Sequence, residues 1–542
     1  MAVICVDAGT TMIKAVGYDQ DGVEVVVVRQ ATALARPQPG WAEQDMQSVW
    51  DAVVFTVRGV VARLQSEVDY LAITAQGDGA WLVASDGAPT GPAILWNDGR
   101  GVDILSAWTH AGVLERAFPI NGSLTSSGMP NVILSWLRQN DPDRLDRSHA
   151  SLTCGGWIFA QMTGEFAIDE SDAAAPFMDI HTRQYSPELL RLYDMEWAQA
   201  LLPPIRDDHH RAAELTAHAG ALLGLPAGLP VVMSSYDIAS TAIGVGAVTP
   251  GQACCILGTT LCTEIITDQV RISDPAAGLN IAPGLPGLIL RSFPTLAGGE
   301  VIQWACELLG IQDPDALTQL ASTCGPGAGG LMFLPYFSPA GERAPFLDPL
   351  ARGTFLGMSF EHRREHIAKA VLEGLTLVIR DCLTASGDSP TELRVCGGGA
   401  ASAPWLQMIA DVTGIPVLRS KDTEVGAKGA FLIGLVATGR AGSVQEAAPS
   451  YIRIRDTFTP EPTRAAFYSG LYEDFLALRH VASQAWPRLA MMRQRSIENS
   501  RPDTVPAHNP APPGDSPGAP PPPVAARRTI QPRTSHGPER SI

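Results

Sequence analysis

Val3-Ile4-Cys5-Val6-Asp7-Ala8-Gly9-Thr10-Thr11 opens the chain, and Cys254-Cys255-Ile256-Leu257-Gly258-Thr259-Thr260 repeats its pattern near the middle. In each copy an apolar run of strand length ends in Gly-Thr-Thr, and a second β-rich stretch follows. Glycine at such a turn lets backbone N–H groups come close to an anion, and the threonine hydroxyls add donors. One copy alone reads as an ordinary tight turn. Two copies facing each other across a cleft would hold the phosphates of one nucleotide from both sides. Asp7, ending the first strand, favours that functional reading.

Working outward, Val3–Val6, Met12–Tyr18 and Val23–Val28 read as consecutive strands, joined at Ala8-Gly9-Thr10 and at the turn Asp19-Gln20-Asp21-Gly22. Gln47–Ser66 has helical spacing, and Tyr70–Ala75 is a further short strand. Alternating strand and helix patterns continue to about residue 245. The second half restarts with strands over Gln252–Ile266 and repeats the order, with helices expected near 299–309, 363–385 and 404–413. Two halves on one plan predict a duplicated α/β fold with a cleft between two lobes.

Composition limits what such a fold serves. The 542 residues exceed one core and suggest two to four domains. A net charge of −17 repels nucleic acid and anionic membrane, so neither is an expected partner. Nine cysteines without a CxxC fit buried thiols in a reducing compartment. No basic n-region precedes the first strand, and no apolar run reaches the ~18 residues of a membrane span. A cytoplasmic protein is expected. From Arg501 the character changes: twelve of the last 42 residues are proline, including Pro520–Pro523, and aliphatics nearly vanish. Such a segment buries too little to order itself.

Several residues carry candidate chemistry. Asp237 follows the apolar strand Leu229–Met233 and precedes Ile243-Gly244-Val245-Gly246, so it is either a general base at a strand's carboxyl end or a helix N-cap. Position leaves the two open. Asp7 suits Mg²⁺ bridged to phosphates, because that ion keeps several waters and few protein ligands; a turn-forming aspartate is the bland alternative. Lys14 either adds positive charge near the phosphates or faces solvent. Gln76, Gly77, Asp78 and Trp81, with Trp96, Asp98 and Arg100, put polar groups beside tryptophans at strand ends. Hydroxyl-rich ligands need that combination, although each tryptophan alone is more often core. Gly397-Gly398-Gly399-Ala400, between a strand and a helix, allows close approach of a ribose-bearing group or is a flexible turn. Gly298-Gly299, opening the helical stretch through Gln303, offers the same on the facing wall.

Two motifs fail their context. Gly325, Gly327 and Gly330 spell G-x-G-x-x-G but precede a strand, Leu331–Pro335, which excludes the dinucleotide reading. His362, Glu365 and His366 spell H-x-x-E-H, yet lie at the start of an amphipathic helix among charged neighbours. A solvated first turn is expected there. No P-loop sequence occurs.

With these residues in place, the chain resembles the FGGY family of carbohydrate kinases over about residues 1–480. The family's D-x-G-T-[ST]-x-x-K is matched by Asp7 to Lys14, and P-G-W-x-E-Q-D by Pro39 to Asp45. Phe333-Leu334-Pro335-Tyr336 with Gly341-Glu342-Arg343-Ala344-Pro345 resembles F-L-P-Y…G-E-R-x-P. Gly353 to Met358, His366-Ile367 and Val371 to Gly374 fit the C-terminal signature. Gly397–Ala400 with Asp411, and Glu424 to Ala430, look like the adenosine-side elements.

The resemblance implies a duplicated actin-like (ribonuclease H-like) ATPase fold. It divides the chain into an N-terminal sugar-binding domain over 1–245 and a C-terminal nucleotide domain over 246–485, leaving 486–542 as the tail that composition reads as Pro-rich and disordered. It makes Asp237 the catalytic base, beside Asp7 as the residue whose position suits Mg²⁺. Gly9, Thr10, Thr11, Lys14, Gly258, Thr259 and Thr260 become phosphate-side residues, and Gly398, Gly399 and Ala400 adenosine-side ones, with Gly299 and Gln303 on the facing wall as further ATP-binding candidates. The implied reaction is ATP-dependent phosphorylation of a small sugar or polyol, with a homodimer left open. Trp96 to Arg100 reads as in xylulokinases, whereas Asp78 falls where glycerol kinases place a substrate-binding glutamate. Gln76 to Leu82 resembles erythritol kinases. A non-catalytic ATP-dependent sensor on the same fold is the rival reading, and the joint presence of Asp7 and Asp237 argues against it.

Overall fold

The computed structural model describes residues 2–207, 210–272 and 276–499. The described residues up to Leu489 form one compact unit, and a second begins at Ala490. Within the first unit, two sheets repeat one plan. In the N-terminal sheet, Ala2–Ala8 runs antiparallel to Met12–Tyr18, which pairs antiparallel with Glu24–Ala31. On its other side Ala2–Ala8 is parallel to Val68–Ala75, and that strand is parallel to Pro230–Met233. The C-terminal sheet builds the same order from Gln252–Leu257, Leu261–Thr267 and Ile289–Pro294, then the parallel strands Glu392–Cys396 and Val417–Ser420. The repeat seen in the two Gly-Thr-Thr phrases is therefore a repeat of topology.

Continuous apolar runs explain the central strands. Ala2–Ala8 is buried on both faces except at Asp7, and the helix Met46–Val61 begins where Asp45 accepts from the Ser48 N–H as its N-cap. The expected helices form at Gly299–Leu309, Arg364–Ala385 and Ala403–Thr413. His366 and His362 accept from the backbone N–H groups of Arg363 and Ser359 at the start of the long helix, as expected for an exposed first turn.

Between the sheets lie two helices, Asp237–Gly244 and Val425–Ala437, which cross each other at glycines. A Cβ on Gly244 would stand 1.8 Å from the Val425 carbonyl oxygen, and one on Gly429 would stand 1.9 Å from that of Ser240. Only glycine permits backbones this close. The two helices exchange sides: Asp237–Gly244 packs on the strand Gln252–Leu257, while Val425–Ala437 packs on Ala2–Ala8 and Val68–Ala75. One apolar core, containing Val6, Ile73, Ala242, Ala427 and Phe431, thus joins both halves.

One expectation is corrected here. Residues 486–499, assigned by composition to a disordered tail, form the helix Trp486–Asn499. Trp486 is 2% exposed, lies stacked 6.0 Å from Phe346 and meets Tyr336 edge-on. An indole able to fill that apolar gap outweighs the polar character of the residues after it. Residues 500–542, where the proline run lies, fall outside the described residues.

Candidate active site

The first Gly-Thr-Thr turn is held from three sides. The Gly9 N–H donates to the Met12 carbonyl at 3.1 Å and closes the hairpin. The Thr10 hydroxyl donates to Gln76 Oε1 at 2.8 Å and accepts from the Trp96 indole N–H at 3.0 Å. Gln44 donates to the Thr10 carbonyl at 2.6 Å, and Gln76 in turn donates to Gln44 at 2.9 Å. The hydroxyl-rich turn, Gln76 and Trp96, far apart in sequence, are one hydrogen-bonded unit. Thr11 is left exposed at its tip.

Beside this turn, Asp7 Oδ2 lies 3.5 Å from Lys14 Nζ, and the same ammonium lies 2.9 Å from Glu424 at the start of the inter-lobe helix. Burial works against the Lys14 charge, but Asp7 and Glu424 together outweigh it and raise its pKa. Burial also raises the Asp7 pKa, with Lys14 opposing and Glu424 adding to the rise. Lys14 is thus tied to Asp7 rather than pointing freely into solvent.

Asp237 stands at the first position of its helix, whose N-cap is Tyr236. Its Oδ1 accepts from the adjacent Ile238 N–H at 2.8 Å, so the capping alternative does not describe it. Burial, and then the negative charges of Asp7 and Asp78, push its pKa up to about 7. Asp78 sits in the left-handed region at φ 54°, and burial pushes its pKa up to about 6. Gly77 beside it accommodates the Tyr236 ring, which a Cβ would meet at 2.3 Å. Asp7 and Asp78 therefore both lie within electrostatic reach of Asp237.

The second turn mirrors the first. The Gly258 and Thr259 carbonyls accept from the Gly299 and Glu300 N–H groups at 2.9 and 3.2 Å. Thr259 is exposed and Thr260 half-buried. Gly397, at φ 86°, folds back over Leu257, while Gly398 has open space where a side chain would stand. Ala400 is buried, its carbonyl held by Arg419. Gln303 is exposed one turn along its helix, donating to Glu307 at 3.2 Å.

Several expected ligand contacts prove to be scaffold. Trp81 is wholly buried, packed 5.8 Å from the Trp157 ring, so it belongs to the core. Asp98 is also wholly buried, and both its oxygens are committed: Oδ1 to Arg100 and Oδ2 to the Ala42 N–H at 2.7 Å and Arg100. Arg100 is 2% exposed, shared between Asp98 and Glu43, with its guanidinium 3.9 Å over the Trp41 ring. Asp98 so satisfied has no acceptor left for a sugar, and Arg100 commits three of its five guanidinium N–H groups to Asp98 and Glu43. Gly299 and Gly399 are glycines because of packing: a Cβ on either would meet Gly258 O at 2.6 Å or the Trp405 ring at 2.5 Å.

Sequence reasoning assigned no role to Gln44, although it lies in the family-like stretch Pro39 to Asp45; its link to Thr10 and Gln76 is what makes that stretch matter. Glu424, read from the sequence as the start of an adenosine-side element, is an ion-pair partner that fixes Lys14 beside Asp7.

Residues 2–244 match the N-terminal domain, and 253–438 the C-terminal domain, of the FGGY family of carbohydrate kinases. The chain belongs to that family. Among similar FGGY kinases, the erythritol kinase of Brucella abortus is 29% identical over 511 residues, covering 90% of this chain and 98% of that one. The xylulose kinase of Escherichia coli is 30% identical over 498 residues, covering 90% and 100%. The crystal structure of xylulose kinase from Rhodospirillum rubrum superposes with a TM-score of 0.82 at 27% identity, covering 90% and 100%. This carbohydrate kinase uses ATP as its phosphoryl donor, and the group formed by Asp7, Asp78 and Asp237 is its candidate active site.

Proposed function

We propose that the kinase phosphorylates a terminal hydroxyl of a small polyol of the tetritol type, with pentuloses such as xylulose as the next class. The observation that carries this reading is Asp78. Its half-buried carboxylate makes no hydrogen bond or ion pair among the described residues and lies within electrostatic reach of Asp237. A carboxylate offers acceptors only, which suits adjacent hydroxyls better than a ketose carbonyl. The xylulokinase-like Trp96 to Arg100 stretch adds little to a pentulose reading, since Asp98 and Arg100 satisfy one another. The similarity to erythritol kinase supports the same choice.

In this scheme Asp237 accepts the proton of the attacking hydroxyl through the oxygen that Ile238 does not engage. The two Gly-Thr-Thr turns cradle the phosphates, and Thr10 is kept in place by Gln76, Gln44 and Trp96. Asp7 would hold Mg²⁺. A single carboxylate with one ammonium neighbour fits an ion that takes most of its ligands from water and phosphate. When bound, Mg²⁺ neutralises charge developing on the phosphates. Nine unpaired cysteines, eight of them buried, support a reducing, cytoplasmic setting.

A coupled ADP-release screen over tetritols, pentitols, glycerol and pentuloses tests the reading. Turnover of a tetritol or pentitol at least as efficient as that of D-xylulose is expected. Strong preference for D-xylulose over every polyol refutes the polyol assignment, and ADP release independent of any acceptor refutes the kinase scheme altogether.

A further inference from the structure

The G-E-R-x-P segment carries no role in the scheme above, yet its architecture is that of a mount. Glu342 is 2% exposed, and its Oε1 accepts from the N–H groups of Leu296 and Arg343 at 2.9 Å and of Ala344 at 3.4 Å. Glu342 and Asp348 exchange backbone hydrogen bonds in both directions at 2.9 Å. Arg343 then donates its Nε–H to the Pro294 carbonyl at 2.9 Å. Pro294 lies opposite Cys262 in the sheet, just beyond the second phosphate turn. The guanidinium is thus hung by one nitrogen, and neither terminal nitrogen has a partner among the described residues.

In the N-terminal half, Asp78 is the complementary case: a carboxylate with no partner among the described residues, set at φ 54°. The two charges belong to opposite halves of the chain, and no ion pair joins them among the described residues. They remain within electrostatic reach, since Arg343 partly offsets the rise that burial imposes on Asp78. A carboxylate and a guanidinium, each without a protein partner for its terminal atoms among the described residues and within electrostatic reach of one another, suit a ligand that presents oxygens to both.

We propose that Arg343 is an acceptor-binding residue supplied by the C-terminal half, gripping the sugar or polyol jointly with Asp78. Its terminal N–H groups donate to hydroxyl or carbonyl oxygens of the acceptor, while Asp78 accepts from the hydroxyls facing it. The class selected is a neutral polyhydroxylated chain: a carboxylate such as an aldonate would gain at Arg343 but be repelled at Asp78. This inference rests on the kinase reading above.

The test uses Arg343→Gln and Arg343→Lys in the full-length chain, each alone and with Asp78→Asn, with erythritol and D-xylulose as acceptors and ADP release as the readout. Loss of a charged hydrogen-bonding partner predicts a rise in acceptor KM of about 10- to 100-fold in Arg343→Gln. The KM for ATP should move by less than about threefold, and Lys should recover part of the loss because it keeps charge without the fork. In the Asp78→Asn background the penalty should shrink, because the two groups grip one ligand. An unchanged acceptor KM overturns the proposal, as does a rise confined to the KM for ATP. Thermal melts check folding. If Arg343→Gln does not fold, Arg343→Lys decides: a raised acceptor KM supports the role and an unchanged one overturns it. Wild-type turnover of at least one acceptor establishes the underlying reading separately, so the two failures are distinct.

Discussion

Replacing Asp237 with Asn should slow the kinase and, at neutral pH and above, stabilise it. The side chain keeps its shape and its acceptor for the Ile238 N–H but loses both charge and proton acceptance. The wild-type carboxyl, with a pKa raised from 3.8 to about 7 by burial and then by Asp7, is costly to ionise in the folded state. Below pH 3.8 it is protonated in both folded and unfolded chains, and the fold bears no cost from it. As pH rises toward 7 the unfolded chain ionises first, so wild-type stability falls, and above 7 the full cost persists. At about 1.4 kcal/mol per pH unit, reduced for partial exposure, the cost is on the order of 2–4 kcal/mol. The Asn variant lacks it. Thermal melts at pH 5, 6.5 and 8 should therefore show Asn gaining on wild type as pH rises. Over the same set, kcat should be down by roughly 10²–10⁴-fold, the usual worth of a general base. Wild-type kcat/KM should fall as pH drops through about 7, as its base becomes protonated. A variant with near wild-type kcat and no pH-dependent gain in melting temperature would refute both the base and the buried-charge argument.

Three other outcomes are expected. Asp78→His should lower polyol kcat/KM by about 10- to 100-fold and shift the ratio of kcat/KM toward ketoses, since imidazole can donate to a carbonyl; an unchanged ratio in the acceptor screen counts against Asp78 as the discriminator. Gly429→Ala puts a methyl group 1.9 Å from the Ser240 carbonyl and should cost at least about 1–3 kcal/mol, read as a lowered melting temperature; an unshifted melt would mean that the helices separate freely. Truncation after Ser500 should leave melting temperature and turnover unaltered, because the segment removed has little apolar surface to bury; a substantial loss of either would show that it docks.

Features written in local pattern were legible in the sequence. The apolar runs before Gly9 and Gly258 predicted the paired hairpins, and both formed with the same strand order around them. The position of Asp237 after a strand predicted a carboxylate at a helix start, though only hydrogen bonding distinguished a capping residue from its neighbour. Partnerships across long separations were not legible. Asp98 and Arg100 offered the same residue types to a sugar as to each other, and burial beneath Trp41 decided for each other. Trp81 had no local mark separating a platform from core. Gly299 and Gly399 announced close approach correctly, and on the side a Cβ would occupy the approaching partner is the protein's own backbone or ring.

The glycine crossing of Asp237–Gly244 with Val425–Ala437 has a mechanical consequence. Where backbones touch without interleaved side chains, one helix can turn over the other with few rotamers to reset, so the contact behaves as a fulcrum. Asp237 begins one of these helices, and Asp7 lies against the first turn of the other, 3.3 Å from where a Cβ of Gly426 would stand. Points near a fulcrum travel least. Any rotation of one half of the molecule about that crossing carries the groups farthest from it through the longest arc. The two carboxylates that must keep register with the reacting oxygen stay nearly still.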